Sequence, residues 1–353
     1  MAARAEETRT MRKRLVVFCD GTWNSADKPA VTNVCKLCNA VDRAEDAAVP
    51  QIVKYEPGVG TRRWEKIRGG AFGVGLSRNV RECYEFLVDN YEPGDELFFF
   101  GFSRGAFTAR SLGGLVRNSG ILLAEHRGMV KDAYKLYRSP KRDDAPSAKA
   151  AKDFRDRYSH PDAEITFIGV WDTVGALGIP SLRFRLPGLS KRWTFHDTTL
   201  SKYVHNAFHA ISIDERRKPF VPTLWVKKKG ELPPEKQTVE QRWFAGVHSD
   251  VGGGYPDADL SDIPLRWLTD RARECGLVLK PGEFCGEGDP SAPLHNSLSR
   301  FYRLLGPVDR RLTAIDGEPI NPTLSPSVEA RRGADPDYDP PGLADWLARK
   351  AVA

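Results

Sequence analysis

Short apolar runs, each closed by glycine or acidic residues, alternate along the chain with stretches of helical spacing. Leu15 to Cys19 reads as a buried strand running into Asp20-Gly21-Thr22-Trp23-Asn24. A helical pattern from about Val31 to Val41 and a short strand at Ile52 to Tyr55 follow. The glycine-rich stretch from Gly58 to Gly75 reads as a mobile loop. Leu76 to Tyr91 is helical by period, with Val80, Tyr84, Leu87 and Val88 on one face. Leu97 to Phe100 is a strand, and Phe107 to Asn118 has the spacing of a helix. Residues 125–158 are polar and mostly helical, an excursion outside the sheet. Ile165 to Trp171 is another apolar strand, and Val221 to Val226 and Arg242 to Val247 read as two more. Helices are expected around 262–275 and 294–304.

Strands alternating with helices predict an α/β fold built on a doubly wound, mostly parallel sheet. Residues 1–12 read as a disordered lead and 13–305 as one domain, with helical insertions near 125–158 and 176–200. The second insertion mixes Leu182, Phe184, Leu186, Leu189, Trp193 and Phe195 with arginines and lysines, as a cap or lid over lipid would. Residues 306–353 are rich in Pro, Asp and Arg and read as a tail packed on the domain, amphipathic from Leu343 to Val352.

The chemistry sits where three of these strands end. Glu96 to Phe100 leads into Gly101-Phe102-Ser103-Arg104-Gly105, a Gly-x-Ser-x-Gly set between a strand and a helix. That is the setting of a nucleophile elbow, in which a tight turn lifts the serine hydroxyl above the sheet edge. Gly101 and Gly105 leave room where side chains would collide. In the hydrolase fold that goes with this elbow, the acid and then the histidine follow the serine in the chain. Asp172 lies immediately after Ile165–Trp171, and His248 immediately after the strand ending at Val247. A serine hydroxyl needs a base, and the base an orienting carboxylate, so Ser103, His248 and Asp172 form the candidate triad. Asp250 is the rival acid, better placed to brace the loop of His248. Asp214 reads as the partner of a neighbouring arginine. His209 is the rival base, read with His205 as a helix-face pair packed against the core. The backbone N–H of Arg104 is the first candidate oxyanion donor, and Gly21 or Thr22 the second. Asp20 is expected to hold that second loop by accepting hydrogen bonds.

Composition changes this picture little. The net charge of +6 on 353 residues permits attraction to anionic lipid, while no basic block or recognition motif points to nucleic acid. No apolar run is long enough for a membrane span, and Leu15 to Cys19 is too short for a signal-peptide core. Six scattered cysteines fit a reducing compartment, so the cytoplasm is the expected location, with signal-independent export left open. Neither cofactor nor metal is expected. Cys35-x-x-Cys38 has no second pair, Asp257, Asp259 and Asp262 read as surface carboxylates, and Gly69, Gly70, Gly73 and Gly75 lack a complete nucleotide fingerprint.

Five segments together carry a resemblance. They are Val17 to Asn24, Gly101 to Ala106, Val170-Trp171-Asp172-Thr173-Val174-Gly175, Ala210 to Arg217, and Gly246-Val247-His248-Ser249-Asp250-Val251-Gly252-Gly253-Gly254-Tyr255. Spanning about residues 14–275, they resemble an uncharacterised α/β-hydrolase domain family that includes the catalytic domains of type VI secretion phospholipase effectors. The resemblance implies an α/β-hydrolase fold with Ser103 as nucleophile, Asp172 as acid and His248 as base. Effectors of this type carry a further large membrane-targeting portion, and this chain ends soon after the hydrolase domain. The expectation is therefore an esterase or lipase acting on carboxylic esters, phospholipid acyl chains included, with peripheral membrane contact. The alternatives are a hydrolase-fold binding or regulatory module without turnover, and a small-molecule esterase or amidase with no membrane role.

Overall fold

The computed structural model describes residues 12–21, 30–58, 71–175, 200–227, 236–283, 286–312 and 318–350. Nine strands lie among them: β1 (Arg14–Cys19), β2 (Gln51–Glu56), β3 (Glu96–Phe102), β4 (Ile121–Leu122), β5 (Ser159–His160), β6 (Ile165–Trp171), β7 (Val204–Ser212), β8 (Thr238–Phe244) and β9 (Pro322–Leu324). Seven form one sheet in the order β2-β1-β3-β6-β7-β8-β9, with every neighbouring pair parallel. β4 and β5 make a separate antiparallel pair. The chain turns one way from β1 to β2 and the other way from β3 onward. The crevice outside the carboxyl ends of β1 and β3 is thus the topological switch point, where ligands bind in open α/β sheets.

Ten α-helices are described: α1 (Asn33–Ala40), α2 (Ala71–Asn90), α3 (Arg104–Ser119), α4 (Val130–Tyr137), α5 (Lys149–Tyr158), α6 (His248–Gly252), α7 (Asp259–Glu274), α8 (Arg300–Leu304), α9 (Pro326–Ala334) and α10 (Pro341–Lys350). The strand period of two decides which helices cover which face. Leu97 and Phe99 of β3 pack with Val80, Tyr84 and Leu87 of α2 and Leu112 and Leu115 of α3. Phe98, Phe100 and Phe102 point the other way, onto Val34 and Leu37 of α1 and Leu265 and Leu268 of α7. With both faces buried, the central strands become continuous apolar runs, which made β1, β3 and β6 legible.

Several expectations need correction. Helix α2 begins at Ala71, so the last part of the expected Gly58–Gly75 loop is helical, while residues 59–70 lie outside the described residues. His205 and His209 lie on strand β7, not on a helix. Positions four apart share a face in either structure, and a strand buried on both sides lacks the alternation that would separate the two. Val221 to Val226 is no strand: Pro222 removes a donor, and the Trp225 backbone pairs at both N–H and C=O with the Gln241 side chain. The neighbouring strand β8 is Thr238–Phe244, ahead of the expected Arg242–Val247. Within 294–304 the helix is confined to α8. The residues after 305 supply the seventh strand of the sheet and an apolar cluster in which Leu312, Val328, Leu343 and Trp346 pack with Ile211 and Trp243. The expected lid at 176–200 lies, apart from Leu200, outside the described residues.

Candidate active site

Ser103 stands between β3 and α3 with φ 58° and ψ −120°, a region that side-chain-bearing residues avoid. Its side chain makes no hydrogen bond that caps the helix, so the helix start does not need a serine there. The turn is as tight as packing allows. A Cβ on Gly105 would lie 2.1 Å from the carbonyl oxygen of Cys19, and one on Gly101 would lie 2.5 Å from that of Gly105. Gly105→Ala is expected to cost about 2–3 kcal/mol by overpacking, read as a lower urea midpoint, because a backbone carbonyl must move. The N–H of Ser103 donates to the Trp171 carbonyl at 3.0 Å and ties the turn to the end of β6.

Asp172 is the next residue of that strand end, fully buried, and also in the left-handed region at φ 39°. Non-glycine residues with positive φ gather where the surrounding structure imposes them, often at functional sites. Its Oδ2 lies 2.5 Å from Nδ1 of His248, and its Oδ1 accepts the Ser212 N–H at 3.1 Å. The Arg310 guanidinium grips both oxygens, at 2.6 Å and 2.9 Å. Burial pushes the carboxyl up, but Arg310 and His248 outweigh it and hold Asp172 well below the usual carboxylate range.

His248 opens α6 and is almost fully buried. Its ring lies 4.6 Å from that of Phe102, the residue before Ser103, and 4.9 Å edge-on from Phe220. Burial lowers its pKa and the Asp172 carboxylate opposes that, leaving it below the ordinary imidazole value. With Nδ1 on Asp172, Nε2 is the ring nitrogen left for proton transfer. The backbone N–H of His248 donates to Glu215 Oε2 at 3.3 Å, and Glu215 is itself clamped by Arg217 and Ser297.

The rivals take other places. Asp250 accepts the Val247 N–H at 2.9 Å and pairs with His295 at 2.6 Å, bracing the turn into α6. His209 is fully buried and its Nε2 accepts the Thr173 N–H at 3.1 Å; burial and the neighbouring Arg110 lower its pKa to about 3. That keeps it a neutral brace beside Asp172. Asp214 does not pair with an adjacent arginine. It accepts from the Gly246 N–H and the Tyr338 hydroxyl, and burial raises it to about 6; the arginine goes to Glu215 instead. Asp20, at the end of β1, accepts from the Gly21 N–H at 2.6 Å, Thr32 Oγ1 at 2.8 Å and the Tyr55 hydroxyl at 2.6 Å. The Gly21 N–H is therefore already engaged, against its expected place in the oxyanion hole. Thr22 lies outside the described residues.

No group of three or more His, Cys, Asp or Glu among the described residues could hold a metal ion. Nor is any described helix long and apolar enough to cross a membrane.

Residues 13–271 match the family described as the T6SS phospholipase effector Tle1-like catalytic domain. The chain belongs to this family. It is 31% identical over 316 residues to the uncharacterized protein YEL023C of Saccharomyces cerevisiae, covering 76% of this chain and 44% of that protein. Two solved structures are similar at 20% identity. An uncharacterized protein from Pseudomonas aeruginosa has a TM-score of 0.43 over 76% of this chain and 47% of its own. The Tle1 effector bound to the VgrG spike of the type 6 secretion system has 0.36 over 69% and 52%. This chain thus spans about half the length of the relatives it matches.

Arg310 lies beyond the stretch matched by the Tle1-like family, and sequence reasoning missed it. It stands 138 residues from Asp172, in a segment whose composition suggested only surface. Glu215 and Arg217 lie in the resembling segment Ala210 to Arg217, but nothing local shows that Glu215 supports the backbone of His248 and Arg217 holds Glu215.

Proposed function

We propose that this chain is a serine hydrolase that cleaves lipid acyl esters through Ser103, His248 and Asp172. The observation that carries the reading is the buried Asp172–His248 hydrogen bond at the sheet edge, beside a serine held in strained backbone geometry. Ser103 Oγ attacks the ester carbonyl while His248 Nε2 takes its proton. Asp172 keeps the imidazole in the tautomer that allows this and stabilises the imidazolium. The backbone N–H of Arg104, at the positive end of α3, donates to the oxyanion. Thr22 is assigned the second donor on sequence grounds, since the Gly21 N–H goes to Asp20. His248 then returns its proton to the leaving alcohol, and water releases the acyl group by the same steps in reverse.

The family supports lipid as the substrate class, and so does the rim of the site. Phe301 and Leu304 of α8 are 63% and 88% exposed, and Tyr302 between them packs edge-on to Phe220, which touches His248. Peripheral contact with a lipid surface would place these side chains at the interface.

Fluorophosphonate labelling of the wild type, followed by ester hydrolysis across acyl lengths, tests the reading. Ser103 is expected to be labelled, and hydrolysis to rise with acyl length and with a lipid interface. The base must be unprotonated, and burial lowers the His248 pKa, so the acid limb of the rate should fall below the ordinary imidazole value of about 6.5. Absence of labelling with and without detergent would favour the binding-module alternative. Labelling with a preference for short esters would favour a small-molecule esterase.

A further inference from the structure

We propose that Arg310 is a positioning residue for this reaction and that the C-terminal helices set its place. The inference rests on the Ser103–His248–Asp172 reading. Arg310 is 6% exposed, and its four terminal N–H groups all have acceptors: Asp172 Oδ1 and Oδ2, the Ser212 carbonyl at 2.8 Å and the Phe220 carbonyl at 2.5 Å. One guanidinium thus joins the carboxylate to the end of β7 and to the turn that lays Phe220 against His248. A planar fork fixes a carboxylate in rotation as well as in place, which a point charge does not. Oδ2 is thereby held facing Nδ1 of His248.

The backbone of Arg310 is in turn fixed by the C-terminal segment. A Cβ on Gly342, in the first turn of α10, would lie 1.9 Å from the Arg310 carbonyl oxygen. Two residues after Arg310, Leu312 is buried with Val328, Leu343 and Trp346. Helices α9 and α10 therefore anchor a side chain that reaches the centre of the site, although they lie outside the family match at 13–271.

The charge matters as much as the fork. Asp172 and His248 sit in a desolvated pair, and its proton affinity depends on the charges around it. Those are Arg310 on the carboxylate, Glu215 on the His248 backbone with Arg217 beside it, and His209 near Asp172 with Arg110 acting on it. Removing Arg310 leaves the carboxylate buried with less positive charge, so the pair holds its proton to higher pH.

The test uses the full chain and follows the rate of fluorophosphonate labelling at Ser103 against pH, for wild type, Arg310→Gln, Arg310→Lys and Gly342→Ala. In Arg310→Gln the acid limb is expected to rise by about 0.5–1 pH unit and the plateau to fall by roughly 30-fold. Arg310→Lys keeps the charge, so its limb should stay near the wild type while its plateau is intermediate. Gly342→Ala should shift the limb as Arg310→Gln does, but less, since it displaces the same side chain from a distance. A limb in Arg310→Gln that coincides with the wild type, whatever the loss of folded protein, overturns the proposal. Should Arg310→Gln not fold, Gly342→Ala decides, and an unmoved profile there overturns it equally. Wild-type protein that is never labelled at Ser103 would instead defeat the triad reading on which this one rests.

Discussion

Ser103→Ala is expected to lower ester hydrolysis by about 10⁴-fold or more and to end fluorophosphonate labelling, with the fold intact. The fold should survive because the Ser103 side chain makes no capping hydrogen bond, so its loss leaves stability within about 0.5 kcal/mol. The turn itself is held by the Ser103 N–H on Trp171 and by the close approach of Gly105 to β1, neither of which needs the hydroxyl. A second substitution sharpens the result. At φ 58° and ψ −120° glycine is at ease where serine is strained, so Ser103→Gly should be more stable than the wild type by about 1 kcal/mol and equally inactive. A gain in urea midpoint together with loss of turnover is what a strained nucleophile predicts and a structural serine does not. Labelling that persists in Ser103→Ala would place the reactive group elsewhere.

What could be read from the sequence follows from the range of the interactions involved. Strands β1, β3 and β6 announce themselves because both faces are buried and the runs are short and apolar. Ser103 and Asp172 stand just beyond the ends of β3 and β6, and His248 opens α6 four residues after β8, so the parallel sheet brings all three toward one edge. Strand β7 was hidden because Val204 to Ser212 carries histidines and an asparagine, several of whose polar groups hydrogen-bond to neighbouring backbone. Asn206 donates to the Thr166 carbonyl, and His209 accepts from Thr173. Once satisfied, these groups are tolerated inside, but an apolar pattern does not register them. Arg310 was illegible for a different reason. Its role depends on one buried carboxylate 138 residues away and on helices α9 and α10 that hold its backbone, and no local spacing encodes either. Asp214 and Glu215 show the same limit at close range: neighbours in the chain, they point to Tyr338 and Arg217 respectively, and only the packed structure assigns the arginine.

Asp172→Asn should be nearly as damaging as loss of the nucleophile, and for two separable reasons. The first is catalytic. The amide can turn its NH₂ toward Nδ1 of His248, which would leave Nε2 carrying the proton and unable to accept one from Ser103; a fall of about 10⁴-fold in kcat is expected. The second is energetic. Arg310 and Asp172 are 6% and 0% exposed, so the neutral amide strands a buried guanidinium. Breaking one side of such a pair costs about 3–5 kcal/mol, whereas replacing both sides with well-packed neutral groups costs far less. The double variant Asp172→Asn with Arg310→Met should therefore recover much of the urea midpoint lost in Asp172→Asn while recovering none of the activity. That divergence separates the orienting role of the carboxylate from its part in stability. If Asp172→Asn kept its turnover within about tenfold of the wild type, His248 would have to be oriented by another group, and the triad as assigned would fail. If the double variant regained turnover along with stability, the loss in the single variant would have been one of folding, and Asp172 would be a structural carboxylate that happens to touch a histidine.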